Sequence, residues 1–124
     1  FGAYIYLRFN SDTATNYSRT ILSGNGSAAS SSRDTSQTYI KINNLTPDKS
    51  GLLGFYTVDI FSYAGSTFKT ALSTSSEDNN GAGFVDRIVG LWRSTSAITS
   101  VGLTMNGIDF AVGTTATLYG ILKA

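Results

Sequence analysis

The sequence predicts one all-β domain, an antiparallel β-sandwich of jelly-roll-like type, on three observations. Short segments alternate apolar and polar side chains with the period of two that half-buried strands require. Turns rich in Gly, Ser and Asn separate these segments at short intervals. Gly, Ser, Thr and β-branched residues are so frequent that no window of about eleven residues keeps a helical stripe of strong helix formers. With 124 residues the chain has the size of a single domain, residues 1–124, with a real core. The pattern alone does not separate a jelly roll from an immunoglobulin-like sandwich, but a chain without cysteine lacks the Cys–Trp–Cys framework of the latter.

Residues 1–9 open the chain as a strand, with Ala3, Ile5, Leu7 and Phe9 on one face and Tyr4, Tyr6 and Arg8 on the other. A turn at residues 10–12 leads to a short strand over 16–22. Residues 23–36, serine-rich and without an aromatic side chain, read as a long loop. A strand over 37–42 follows, then a loop over 43–51 in which Pro47 sets a turn at Thr46-Pro47-Asp48-Lys49. The longest apolar stretch, 52–63, places Phe55, Thr57, Asp59 and Phe61 on one parity and Tyr56, Val58 and Ile60 on the other. Apolar groups on both faces suggest a central strand, one face of which meets a loop or a neighbouring chain.

Ala64-Gly65 turns this strand into 66–72, the best hairpin pair. A second polar loop covers 73–83, a strand 84–93, and a turn 94–97. The strand over 98–105 has Ile98 and Leu103 on opposite parities, which asks for a bulge at Gly102 or for cover on both faces. Asn106-Gly107 is the strongest short-range hairpin signal, and a last strand runs over 116–122. There is no internal repeat, which argues against a propeller or solenoid.

Nine basic and eight acidic residues leave a net charge of +1, and the basic residues are scattered singly. No basic footprint for nucleic acid results. The chain has no Cys and no His, which removes thiol chemistry, zinc–thiolate sites and every histidine-based triad. No run approaches the ~18–20 apolar residues of a membrane span, so no membrane insertion is expected. No phosphate loop, nucleophile elbow or cofactor motif is present.

Among the acids, Asp59 and Asp86 lie within strands and would matter as a glycosidase pair only if they faced a common groove. The simpler expectation is that Asp59 points outward or pairs with Arg87 or Arg93. Glu77, Asp78, Asn79 and Asn80 set four oxygen-bearing side chains in a row, without the spacing or glycine of an EF-hand, and read as a solvated turn. No catalytic residue and no metal ligand is therefore assigned, and the chain reads as a non-enzyme.

Binding and assembly remain. Tyr39, Tyr56, Tyr63 and Asn106 are the residue types that line glycan sites, aromatic surface beside a placed amide. Phe55, Phe61, Trp92, Phe110, Leu118, Tyr119 and Ile121 are expected in the core or in subunit contacts, and Trp92, in step with Ile88, looks buried. A small sandwich with strands apolar on both faces needs more cover than one short chain provides, so a homo-oligomer is expected.

The second half carries a resemblance. Gly90-Leu91-Trp92-Arg93-Ser94-Thr95-Ser96-Ala97-Ile98-Thr99-Ser100-Val101 resembles a segment recurring in virion proteins of tailed bacteriophages. Phe110-Ala111-Val112-Gly113-Thr114-Thr115-Ala116-Thr117-Leu118-Tyr119-Gly120-Ile121 is similar to the family's ending F-A-x-G-S-x-x-x-L-Y-G-I/L-K, with Lys123 displaced one place by Leu122. Upstream, Phe9-Asn10-Ser11-Asp12 with Asn16-Tyr17 is similar to F-N-x-D-x-x-x-N-Y, and residues 39–42 occupy the place of its partner segment. The resemblance implies a jelly-roll-like module on the surface of a phage particle, of the head-decoration, tail-fibre, tail-spike or baseplate kind. It further implies a homotrimer in contact with other virion proteins, or a tail-fibre tip that binds host surface glycan. It supplies no catalytic residue.

Overall fold

The computed structural model describes residues 3–44 and 54–122. The described residues contain eight strands and no helix. In chain order these are β1 (Ile5–Phe9), β2 (Tyr17–Gly24), β3 (Ala29–Gln37), β4 (Ile40–Lys41), β5 (Phe55–Phe61), β6 (Lys69–Asp78), β7 (Gly83–Trp92) and β8 (Val101–Met105). They form two antiparallel sheets that pack together, one of order β4-β1-β8 and one of order β3-β2-β7-β6-β5.

The alternation in β1 does what it predicts. Ile5, Leu7 and Phe9 are buried, while Tyr4, Tyr6 and Arg8 lie on the outer face. With Ile40 and Ile42 they pack against Tyr17, Ala71 and Trp92 of the larger sheet. Each large side chain buried here stabilises the fold by roughly 1.5–3 kcal/mol. Three aromatic rings hold the centre: Phe9 and Trp92 at 5.6 Å between centroids, Tyr17 and Trp92 at 6.3 Å. The small sheet comes close to the large one at Gly90, where a Cβ would lie 2.7 Å from Ile40 Cδ1. Glycine is required there by space, not by backbone angle.

Several expectations are corrected. Most of the long loop expected over 23–36 is the edge strand β3, joined to β2 by a tight turn. In that turn Asn25 Oδ1 accepts the N–H groups of Ser27 and Ala28, and Gly26 takes φ 84°. Of the strand expected over 37–42, Gln37 closes β3 and Ile40–Lys41 forms β4. The second polar loop is mostly strand as well, since β6 continues to Asp78 and β7 begins at Gly83. The stretch expected to be central, β5, is an edge strand, and β7 is the middle strand of its sheet. β8 pairs with β1 without a bulge at Gly102. The loop carrying Pro47 lies outside the described residues.

Two further corrections concern the C-terminal segment. Gly107 adopts φ 71°, but no strand returns along β8 to complete a hairpin. Residues 116–122 form no strand, because among the described residues they have no ladder partner.

Candidate assembly surface

Cross-strand partners in an antiparallel sheet point to the same face, so register alone assembles the faces of the large sheet. The inner face contains the rows Tyr17–Trp92–Lys69, Arg19–Gly90–Ala71–Ile60 and Ile21–Ile88–Ser73–Val58. The outer face contains Ser18–Leu91–Thr70–Phe61, Thr20–Val89–Leu72–Asp59, Leu22–Arg87–Thr74–Thr57 and Gly24–Val85–Ser76–Phe55. Leu22, Val85, Val89, Phe55 and Phe61 are all exposed on this outer face, Phe55 to 70% and Val85 to 60%. They are interspersed with polar groups, Arg87 between Val85 and Val89, Ser76 between Val85 and Phe55, and Thr57 and Asp59 between Phe55 and Phe61, and an exposed face of this mixed kind is one that subunit contacts use. The face also carries the charges of Arg33, Asp59, Asp78 and Arg87, of which Arg87 and Asp59 make no salt bridge with each other.

Of the residues expected in core or contact roles, Trp92 is in the core, and Phe55 and Phe61 are on this outer face. Phe110, Leu118, Tyr119 and Ile121 lie outside the core, on the exposed segment after β8.

The four expected glycan residues do not meet on one surface. Tyr39 precedes β4 and Asn106 follows β8, at opposite edges of the small sheet. Tyr39 is already stacked on Tyr6, with ring centroids 3.8 Å apart, and its ring lies 5.6 Å from the Arg8 guanidinium. Asn106 is engaged with the backbone of Tyr4, whose N–H donates to Asn106 Oδ1 at 2.8 Å. Tyr56 points inward. Tyr63 is exposed after β5, where its carbonyl accepts the Ile98 N–H at 2.7 Å.

The acids separate in the same way. Asp59 is exposed on the outer face, while Asp86 is buried on the inner one, so no common groove holds the two. Asp86 sits in the row Ser23–Asp86–Ser75–Tyr56. Its carboxylate accepts from Ser23 Oγ at 2.5 Å, Ser75 Oγ at 2.8 Å and the Asn44 N–H at 3.0 Å. A buried carboxylate with both oxygens engaged in this way ties β2, β6 and the turn after β4 to β7. Sequence reading missed this network, whose only trace is that Ser23, Asp86 and Ser75 occupy core parities. Burial followed by the charges of Glu77 and Asp86 pushes the Tyr56 phenol up to about 12. A second network at the sheet edge joins Arg19, Asp34 and Lys41, with Arg19 Nε 2.7 Å from Asp34 Oδ2.

The acidic loop is a turn held by its own side chains. Asp78 Oδ1 accepts the Asn80 N–H and Asn79 Oδ1 accepts the Ala82 N–H. No cluster of three Asp or Glu side chains suited to a metal occurs among the described residues. An open groove of about 520 Å³ at this end of the sheet is lined by Asn25, Phe55, Glu77, Asp78 and Phe84 among others, Phe55 and Phe84 belonging to opposite faces.

Comparison of the chain with protein-family models, with curated proteins and with solved structures found no match.

Proposed function

We propose that the protein is a non-enzymatic structural module of a virus particle, a capsid decoration or tail/baseplate component of jelly-roll-like type that assembles as a homotrimer. The virion setting comes from the sequence resemblance. The observation that carries the assembly role is the exposed outer face of the large sheet, where Leu22, Val85, Val89, Phe55 and Phe61 have no cover. The test is particle mass by light scattering on the full chain at micromolar concentration. Three times the monomer mass is expected, with Val89→Arg reducing it to the monomer. A wild-type monomer rejects the assembly role. Cryo-electron microscopy of the particle then places the module on head or tail.

The groove lined by Phe55 and Phe84 favours a second reading, a glycan-binding tip, because aromatic surface edged by Asn25, Glu77 and Asp78 suits a sugar ring. Calorimetry with host surface polysaccharide separates the two. Saturable binding lost in Phe84→Ala selects the tip, and no heat selects the decoration role.

A further inference from the structure

Among the described residues the small sheet ends at β8. Leu7 and Leu103 are direct cross-strand partners and therefore point to the same, inner face. Leu7 is 1% exposed, yet Leu103 is 38% exposed. Val101, the partner of buried Phe9, is uncovered in the same way. Three strands face five, and Val58 and Ile60 on the inner face of β5 are only half-buried. β8 is the last strand of its sheet, so the N–H and C=O groups on its far side have no ladder partner among the described residues. An edge of this kind is a template for another strand.

The chain also carries an unused strand-like segment. Every residue from 107 to 122 is exposed. Beyond Asn106 the one backbone hydrogen bond among the described residues is from Thr114 N–H to Ala111 O at 3.0 Å. Leu118, Tyr119, Ile121 and Leu122 are fully or nearly fully exposed, within a run that contains no charge. At on the order of 150 Å² for each of these four side chains, the arm carries roughly 600 Å² of apolar surface, most of one partner's share of a standard interface.

We propose that this arm docks on a second copy of the chain, where residues 116–122 add a fourth strand beside β8 and cover Val101, Leu103 and the open inner face of β5. The occupant is a second copy because the arm does not turn back on its own β8. Two hydrogen bonds between Asn106 and Tyr4 fix its departure, and Ile108 and Phe110, which a hairpin would pair with β8, are exposed instead. The arm's uncharged run matches a β8 that carries no charge, and apolar groups on both its parities suit a strand covered on both sides. Exchange of identical arms between identical edges closes under rotational symmetry. The inference deepens the self-assembly reading above and rests on it.

The absence of cysteine makes the test direct. Chains carrying Leu103→Cys are mixed with chains carrying Leu118→Cys or Tyr119→Cys under mild oxidation. A disulfide-linked heterodimer is expected. In parallel, Tyr119→Asp with Ile121→Asp is expected to weaken association by about 30-fold or more, as for residues at the centre of an interface. Because these side chains are largely exposed in the monomer, the far-ultraviolet circular dichroism spectrum should stay that of the folded chain. An assembled wild type with no cross-link and no loss in the arm variant overturns the arm and leaves the outer-face assembly standing. An intramolecular disulfide in the Leu103→Cys, Leu118→Cys double variant at monomer mass also overturns it, since the arm would then cover its own edge. A wild type that is monomeric throughout overturns both.

Discussion

The indole N–H of Trp92 donates to Asp12 Oδ2 at 2.7 Å, across 80 positions of sequence. The same carboxylate accepts Asn16 Nδ2 at 2.9 Å, and its other oxygen accepts the Ala14 N–H at 2.8 Å. One aspartate thus shapes the turn before β2 and ties it to the last residue of β7, directly beside the aromatic core.

These bonds decide the response to acid. The hydrogen bond from Asn16, then that from Trp92, hold the Asp12 carboxyl below its ordinary value of 3.8 against the opposing effect of burial. Between the unfolded and folded pKa values the unfolded chain binds more protons. Stability from Asp12 is therefore complete above the ordinary carboxylate range and is lost as pH falls through the lowered folded value. Urea melts in a pH series should show this loss, and Asp12→Asn should flatten it. Asp12→Ala should cost about 1–3 kcal/mol at neutral pH.

Alkaline behaviour has the opposite sign. The Tyr56 phenol stays protonated in the folded protein to about 12, against 10.0 ordinarily. Above pH 10 the unfolded chain releases this proton while the folded one keeps it, so stability declines across that window. Tyr6, raised to about 12 by burial and by its contact with Tyr39, contributes similarly. Burial raises the Tyr17 phenol as well, so an ultraviolet phenolate titration should show three late groups, and Tyr56→Phe should remove one of them.

Gly90 tests how closely the sheets approach. Gly90→Ala places a methyl group 2.7 Å from Ile40 Cγ2 and should destabilise the fold by about 1–3 kcal/mol in thermal melts. Combining it with Ile40→Val should recover part of that loss. A full-cost double variant would locate the strain elsewhere.

Asp86→Ala should cost more than Ser75→Ala. The first leaves Ser23 Oγ, Ser75 Oγ and the Asn44 N–H without their acceptor, at about 1–3 kcal/mol for each group that stays dry. The second removes a single donor. Denaturant midpoints of the two variants measure the difference directly.

The sequence by itself determined the strand character of β1 and which of its faces is buried, because Ile5, Leu7 and Phe9 alternate with polar neighbours and local sterics impose the period of two. It also determined that Trp92 and Ile88 share a face and that Asn106-Gly107 is a site for positive φ, which Gly107 adopts. Only tertiary structure decided the rest. β3 carries no apolar alternation, since both its faces meet water, and its strand state comes from the ladder to β2. Ser73 and Ser75 read as loop until the ladder brings Ser75 beside Asp86 and Ile42 O within reach of Ser73 Oγ. Residues 116–122 have a strand pattern and no strand. Side-chain periodicity is a local property of the chain, whereas a strand is completed by hydrogen bonds to a partner distant in sequence, and no local pattern names that partner.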